Sequence, residues 1–248
     1  MNRGFSLDRD ILTLGGCWEL QIGVNGYERF DGNSLVTQAA AGRYFEILHI
    51  PSFADCDSMN SARIMVRLLE DGYECWLQIS EILGKAFLKD SWKSNLLSKA
   101  QIKDRIPTIL EWLKKMSIIP NQYLWGGTIG PNFDCSGLVQ SAFASEGIWL
   151  PRDAWQQEKF CTKVDFTLEK LQLLSPGDLI FFGTSDECDH VAIYLGDAKY
   201  CHSSGFSNGS NGIGINTFNE VDSISSYYQS RIRTAGRVEC CHDGSKLI

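Results

Sequence analysis

A chain of 248 residues is long enough for one large domain or two small ones. With 44% apolar and 21% charged residues, its composition is that of a globular protein rather than a disordered one. The net charge of −7 argues against nucleic acid as the main partner, because phosphate binding needs an excess of basic side chains.

The charges divide the chain into three parts. Residues 1–84 carry a net charge of −6, residues 85–115 carry +5 and residues 116–248 carry −6. A short basic segment between two acidic blocks predicts two domains and a connector. A solvated helix face would show the same run of basic residues.

The sequence contains no evident targeting or membrane segment. Its first residues lack the basic start and the run of about 7–15 apolar residues that a signal peptide needs. No stretch reaches the roughly 18 apolar residues of a membrane span. We therefore expect a cytoplasmic protein that needs neither a membrane nor an obligate protein partner.

Nine cysteines are present, an odd number in a chain without an evident export signal. Reduced thiols are therefore expected rather than a disulfide framework. Most of the cysteines are scattered singly, and adjacent Cys240 and Cys241 are too close in sequence to supply two zinc ligands. We expect most of them to be buried as small apolar side chains. No metal or organic cofactor is expected.

The first third of the chain is patterned as short strands. Clusters of Gly, Asn, Asp and Pro separate the candidates, at residues 17–22, 43–50, 62–68 and 75–79. Short strands at this spacing are typical of a small barrel.

The middle of the chain is patterned as helix. Apolar residues recur at helical spacing over 85–116, and Pro107 is expected in the first turn of a helix that ends near Met116. A second helix is predicted at 135–145, after a glycine-rich loop. Later strands are predicted at 179–182, 191–195, 199–202 and 232–238. A loop rich in Gly, Asn and Ser is predicted at 203–217.

Cys135 stands at the predicted start of the second helix. The unpaired N–H groups and the positive end of a helix favour a thiolate, which is the nucleophilic form of cysteine. Gly126 and Gly127 would let the backbone approach a ligand closely, and Gly137 would keep the first helical turn slim. By itself, a cysteine at a helix start is more often an inert buried thiol.

Two of the four histidines, His190 and His202, fall within one predicted hairpin. They share a face of the sheet only if the loop contains an odd number of residues, because each added residue reverses the face. A three-residue loop at 195–197 would pair them directly. The chain would then hold a thiol, an imidazole base and a polar group that orients the base, as a cysteine peptidase requires. Two structural histidines are the alternative, and His49 and His242 are interpreted as structural or surface residues.

Residues 120–238 resemble the NlpC/P60 family of peptidoglycan peptidases. The shared motifs are Tyr123-x-Trp-Gly-Gly, Asp134-Cys-Ser-Gly, Pro151-Arg-Asp, Pro176-Gly-Asp-Leu and His190-Val-x-Ile-Tyr. The resemblance implies an α+β, papain-like domain in which Cys135 attacks the substrate, His190 is its base and His202 orients that base. The N-terminal half resembles a small all-β bacterial SH3-like barrel. We therefore place the barrel at 1–84, a basic helical connector at 85–109 and the peptidase domain at 110–248.

The two domains together resemble cyanobacterial and bacillary enzymes that cleave γ-D-glutamyl-diamino acid bonds in murein peptides. In that group a barrel tyrosine and the aspartate before the cysteine hold the free amine of an N-terminal L-Ala. The resemblance implies Tyr73 and Asp134 for this role, with Ser136 and Tyr123 as further substrate contacts. A carboxylate and a phenolic oxygen are suitable acceptors for an ammonium ion.

Two residues depart from the pattern of that family. Ala154 stands where relatives often carry a serine near the substrate, which calls that substrate contact into question. Asp189 precedes His190 where serine or threonine is usual, and its negative charge is expected to raise the pKa of His190.

The sequence thus predicts a cysteine endopeptidase that forms an acyl-enzyme on Cys135. Its expected substrate is the murein peptide L-Ala-γ-D-Glu-diamino acid, cleaved after D-Glu during the recycling of wall peptides. The alternatives are a secreted hydrolase of intact peptidoglycan, a non-catalytic murein-binding protein and an acyltransferase on the same scaffold.

Overall fold

The computed structural model describes residues 14–51, 62–220 and 222–246. They form two compact units, which divide between Ser94 and Asn95, and residues 243–246 belong with the first unit. Cys56 and the first 13 residues of the predicted barrel lie outside the described residues.

The N-terminal unit is an all-β, SH3-like unit with one short helix. Its elements are β1 (Gly15–Leu20), β2 (Val24–Tyr27), β3 (Leu35–Ala39), β4 (Tyr44–His49), β5 (Arg63–Leu68), β6 (Glu74–Gln78), α1 (Ile79–Ile82) and β7 (Ala86–Lys89). The strands join antiparallel in the order β3-β2-β6-β5-β4-β1-β7. Alternate side chains enter the core, as at Phe45 and Ile47 of β4. The four strands predicted from the sequence overlap β1, β4, β5 and β6.

The C-terminal unit mixes helices and strands, which confirms the α+β prediction. Its helices are α2 (Lys99–Ser117), α3 (Cys135–Ala144), α4 (Ala154–Phe160) and α5 (Ser223–Gln229). Its strands are β8 (Thr162–Val164), β9 (Leu179–Gly183), β10 (Cys188–Gly196), β11 (Lys199–Ser204), β12 (Gly212–Thr217) and β13 (Ile232–Arg237). The strands join in the order β12-β11-β10-β9-β13-β8.

This second sheet is covered on both faces, so that β9 is buried along its whole length. Leu179 and Phe181 point into a core that they share with α2 and α3. Ile180 and Phe182 point the other way, into a core that contains Tyr228 of α5. The strand therefore reads as a continuous apolar run, because neither of its faces is exposed to water.

Helix α2 begins earlier than predicted. Ser98 and Gln101 form a capping box at its start, so Pro107 lies inside the helix rather than in the first turn. Ile102, Ile109 and Leu113 are buried in the core of the C-terminal unit. The expected connector at 85–109 is therefore not a separate element, because α2 continues past residue 110 and belongs to the second unit.

Residues 203–217 are not a continuous loop, as the sequence predicted, because they contain β12. Glycine and isoleucine alternate over 212–215, which is a strand period despite the glycine-rich composition. The sequence also does not predict α4 and α5, which have seven residues each. None of the helices in the described part of the chain is long and apolar enough to cross a membrane.

Candidate active site

Asp134 caps α3 and so positions Cys135, the first residue of that helix. Its carboxylate accepts a hydrogen bond from the N–H of Gly137 at 2.6 Å and another from the N–H of Gly126 at 2.8 Å. The first of these N–H groups lies in the helix and the second in the loop before it. One side chain therefore fastens both segments that flank the thiol.

Arg152 pairs with the same carboxylate. Its Nη2 lies 2.6 Å from Asp134 Oδ2 and its Nη1 lies 3.2 Å from Oδ1, and Nη1 also donates to Ser136 Oγ at 2.9 Å. The Ser136 hydroxyl in turn donates to Asp134 Oδ1 at 3.3 Å. A carboxylate has about four acceptor positions. The N–H groups, the hydroxyl and the guanidinium therefore occupy all of them.

The glycines beside Cys135 allow backbone segments to approach one another. Gly126 has a φ of 78°, and a Cβ on Gly127 would lie 2.6 Å from the carbonyl oxygen of Asn132. A Cβ on Gly137 would clash with the carbonyl oxygen of Gly127. Gly137 does keep the first helical turn slim, as predicted. Gly127 lets the loop pack closely against its own backbone.

The thiol of Cys135 is nearly buried beside β10. Its Sγ lies 4.0 Å from the carbonyl oxygen of Asp189, and the N–H of Val191 also contributes a hydrogen bond. Burial, and then the negative charge of Asp134, raises the pKa of Cys135 to about 12. The N–H of Ser136 at the start of the helix does favour a thiolate, as expected, but desolvation outweighs it in this resting form.

His190 and His202 share a face of the sheet, as predicted, but through a different loop. Asp197 and Ala198 have φ values of 50° and 60° and form a two-residue turn of the type that requires a positive φ at both positions. Such a turn alone would place the histidines on opposite faces. A bulge in β10 between Tyr194 and Gly196 adds one residue, which returns both histidines to the same face of the sheet.

A hydrogen-bonded chain runs from His190 through His202 to Asn216. His190 Nε2 lies 2.7 Å from His202 Nδ1, and His202 Nε2 lies 2.9 Å from Asn216 Oδ1. Asn216 lies on β12 and pairs with Tyr200 of β11. The residue of β12 that pairs with His202 lies two positions away from Asn216 and therefore on the same face. The sequence does not predict Asn216 as part of the site, because β12 falls in a stretch that was predicted to be a loop. The glycine and isoleucine alternation before it was the signal that could have found it.

The amide oxygen of Asn216 determines which ring nitrogens carry protons. Burial lowers the pKa of His202 to about 4, so this ring is neutral at pH 7 and has one N–H. Because an amide oxygen accepts but cannot donate, that N–H is on Nε2, and Nδ1 accepts a bond from His190. The pKa of His190 also lies well below its usual value, first because of burial. His190 is therefore protonated on Nε2, and its Nδ1 is left as a proton acceptor.

Asp189 does not raise the pKa of His190, contrary to the prediction. Its carboxylate pairs with Arg231 at 2.5 Å, and the positive charge of Arg231 adds to the lowering of the pKa of His190. The resting site thus combines a neutral thiol with a neutral imidazole. Such a pair can form a nucleophile by transferring the thiol proton to the imidazole as the sulfur attacks.

The remaining residues implied by the resemblance fall in different places. Tyr123 lies close to the thiol, and its pKa is raised first by burial and then by the negative charges that Cys135 and Asp134 can carry. Ala154 is buried as the first residue of α4. Tyr73 is half-buried in the N-terminal unit, where its N–H donates to Asp71 Oδ1 at 3.2 Å. The structure thus places one group in the C-terminal unit, made of Tyr123, Asp134, Cys135, Ser136, His190 and His202.

The other histidines and cysteines have structural surroundings. His49 is exposed beside Trp76, and His242 is buried near the ring of Phe160. The eight cysteines of the described segments are unbridged, and five of them are buried, as expected for most of the thiols. Across those segments, no three His, Cys, Asp or Glu side chains are grouped so that they could hold a metal ion.

A model described as the NlpC/P60 family matches residues 120–237. This part of the chain is an NlpC/P60 domain. A second model, described as the bacterial dipeptidyl-peptidase Sh3 domain, matches residues 27–82. The SH3-like unit and the NlpC/P60 domain therefore occur in one chain, in the order that the sequence predicted.

The chain is also similar to curated proteins. It is 33% identical over 137 residues to the gamma-D-glutamyl-L-lysine dipeptidyl-peptidase of Bacillus subtilis (strain 168), covering 54% of this chain and 42% of that protein. It is 37% identical over 105 residues to dipeptidyl-peptidase 6 of Lysinibacillus sphaericus, covering 42% of this chain and 34% of that protein. A crystal structure of an NlpC/P60 family protein from Bacillus cereus ATCC 10987 has a TM-score of 0.44 at 20% identity, over 91% of this chain and 64% of that one. The chain spans less than half the length of these two curated relatives.

The hydrogen-bonded chain predicts ring tautomers that can be measured. Nitrogen-15 NMR at pH 7 should show a protonated Nε2 and an unprotonated Nδ1 in both His190 and His202. Asn216→Leu removes the acceptor and should abolish this preference in His202. Asn216→Asp places a negative charge beside the N–H and should raise the pKa of His202 from about 4. Asn219→Leu, at an exposed asparagine after β12, is the matched control. A protonated Nδ1 on His202 in the unmodified protein would contradict the assignment.

The contacts of Asp134 predict a large effect on stability. Asp134→Ala removes the carboxylate that pairs with the buried guanidinium of Arg152 and should lower the free energy of unfolding by roughly 3–5 kcal/mol, measured by denaturant titration. Asp222→Ala is the control, because Asp222 caps α5 from an exposed position and its loss should be much milder. Equal losses of unfolding free energy in the two variants would show that the buried ion pair with Arg152 does not account for the effect of Asp134 on stability.

Proposed function

We propose that this protein is a cysteine endopeptidase that cleaves the γ-D-glutamyl-diamino acid bond of murein peptides with a free N-terminal L-Ala. The observation that carries the proposal is the chain from Asn216 to His190, which leaves a proton-accepting Nδ1 on His190. The residues on either side of His190, Asp189 and Val191, contact the thiol of Cys135 through their backbone groups. The NlpC/P60 domain supports peptidase chemistry. The similarity to a protein named gamma-D-glutamyl-L-lysine dipeptidyl-peptidase supports the choice of bond.

In the proposed reaction, the sulfur of Cys135 attacks the γ-carbonyl carbon of D-Glu as its proton passes to His190 Nδ1. The tetrahedral intermediate collapses, the C–N bond breaks, and His190 returns the proton to the departing amine of the diamino acid. A water molecule then loses a proton to His190 and attacks the acyl-enzyme. L-Ala-D-Glu leaves with a free carboxylate, and the thiol is restored.

His202 would act through His190 rather than on the substrate. Its Nδ1 accepts the bond from His190 Nε2, which holds the base in one orientation and supports the positive charge that the ring gains. Asn216 would act one step further away, because its amide oxygen accepts the N–H of His202 Nε2 and so fixes the tautomer of that ring. A neutral imidazole stabilises an adjacent cation less than a carboxylate would, which agrees with the low pKa of His190 in the resting site.

The proposed substrate presents a free ammonium, for which the resemblance implies Asp134 and Tyr73. Asp134 has no unoccupied acceptor position, so an ammonium would have to displace one of its present donors. The hydroxyl of Ser136 is the simplest to replace, because its bond of 3.3 Å is the longest. A requirement for a free amine would restrict the enzyme to released wall peptides, because that amine is blocked in the intact wall. Cytoplasmic recycling of such peptides is therefore part of the proposal.

The role proposed for Cys135 predicts a complete loss of turnover in Cys135→Ala. The loss in kcat should be at least about 10⁴-fold, because without the thiol no acyl-enzyme can form. Cys240→Ala, which removes an exposed thiol three residues after the end of β13, should retain the activity. Mass spectrometry of the acid-quenched protein during turnover should place the L-Ala-D-Glu acyl group on the peptide that contains Cys135. An acyl group on another cysteine would contradict the assignment.

The free amine predicts a strong effect of N-acetylation. An acetylated L-Ala-γ-D-Glu-L-Lys peptide should be cleaved about 30- to 1000-fold more slowly in kcat/KM, because a lost charge-assisted contact costs roughly 2–4 kcal/mol. Tyr73→Phe should reduce the ratio of kcat/KM between the free and the acetylated peptide, whereas Tyr44→Phe on β4 of the same unit should leave this ratio unchanged. Equal cleavage of the free and acetylated peptides would favour the alternative of a hydrolase that acts on the intact wall.

A further inference from the structure

A cavity of about 360 Å³ lies beside His190 in the C-terminal unit. Its walls include Tyr123, the segment 204–208 after β11 and the region around the end of α5. Two charged side chains, Asp189 and Arg231, are among the lining residues. The reaction steps above do not use either of them, and so the cavity has a charged group without an assigned role.

Two neighbours hold the guanidinium of Arg231 in place. Its Nη2 contacts Asp189 Oδ2 at 2.5 Å, and its Nη1 donates to the hydroxyl of Tyr227. The group also lies over the ring of Tyr227, 5.1 Å from its centre. A guanidinium has five N–H donors, and these bonds use two of them. These contacts fix the position of the side chain. It is still 25% exposed, and part of its surface faces the cavity.

The position of His190 indicates which part of the substrate enters this cavity. His190 must pass its proton to the departing amine, so the leaving residue has to lie on the His190 side of the scissile bond. Arg231 is close enough for its charge to act on the ring of His190. When the leaving residue ends the peptide, its α-carboxylate is two bonds from the amine nitrogen. The carboxylate would therefore enter the cavity together with the amine.

We infer that the cavity is the subsite for the leaving residue and that Arg231, positioned by Asp189 and Tyr227, binds the free α-carboxylate of that residue. The inference rests on the proposed peptidase function and makes it more specific. Arginine binds carboxylates through two parallel N–H bonds, and its planar group can hold Asp189 at one edge and a second carboxylate at another. A peptide that continues beyond the leaving residue presents a neutral amide there and loses these charge-assisted bonds. The enzyme should thus select peptides that end directly after the scissile bond.

The test compares L-Ala-γ-D-Glu-L-Lys as the free acid with the same peptide as a C-terminal carboxamide. The unmodified protein should cleave the acid with a kcat/KM about 10- to 100-fold higher, through a lower KM. Arg231→Gln should reduce this ratio to within about 3-fold by slowing cleavage of the acid while sparing the amide. Arg231→Lys keeps the charge without the planar group and should give an intermediate ratio. Arg237→Gln is the matched control, because Arg237 pairs with Asp178 at the other end of β13 and should keep the full ratio.

Binding to the Cys135→Ala variant separates this inference from the proposed reaction. Calorimetry should show tighter binding of the acid than of the amide, and the difference should disappear when Arg231→Gln is added. Selective binding without any cleavage by the unmodified protein would overturn the proposed reaction but support the subsite. Equal cleavage of both peptides would overturn the subsite and leave the peptidase function standing. Equal binding, failure of both peptides to bind, or a preference that survives Arg231→Gln would also overturn the subsite.

Discussion

The buried ion pair between Asp134 and Arg152 is the interaction on which the rest of the site depends. Each partner would be costly to bury alone, because an uncompensated charge in the interior loses its hydration without replacement. Together they bind the loop before α3, the first turn of α3 and the segment that leads into α4. Gln157 of α4 adds bonds to the carbonyl oxygens of Ser136 and Pro151. The position of Cys135 is therefore set by contacts among the loop before α3, the first turn of α3 and the later segment that contains Arg152 and Gln157.

The burial that positions the thiol also determines its electrostatics. The backbone N–H groups of Ser136 and Val191 favour a thiolate, but desolvation outweighs them and raises the pKa of Cys135. The same desolvation lowers the pKa of His190, so both groups are neutral at rest. A neutral pair favours a mechanism in which proton transfer accompanies attack. It would also keep the thiol less reactive toward small electrophiles than a preformed thiolate, since the thiolate is the reactive form.

The second sheet explains how side chains far apart in sequence form one continuous set of contacts. His190, His202 and Asn216 lie on the adjacent strands β10, β11 and β12, and their side chains meet because they share one face. The bulge in β10 is necessary for this, because a one-residue change in register would turn His202 to the other face. Asp189 and Arg231 add a charged pair to the cavity that His190 also lines. The geometry of the proposed catalytic group therefore depends on sheet pairing more than on any single motif.

The amino-acid sequence by itself determined the two-domain order, the α+β class of the second domain and the choice of Cys135, His190 and His202. These predictions rest on local patterns (strand and helix periods, a glycine-rich loop before a helix, and two histidines in one hairpin) together with the resemblance to the NlpC/P60 family. The tertiary structure alone decided that Asn216 joins the histidines, that Asp189 pairs with Arg231 instead of acting on His190, and that α2 belongs to the second unit. Local patterns cannot supply these results, because each depends on which distant residues a side chain meets. A bulge or a buried ion pair can change that partner without altering the period of the sequence.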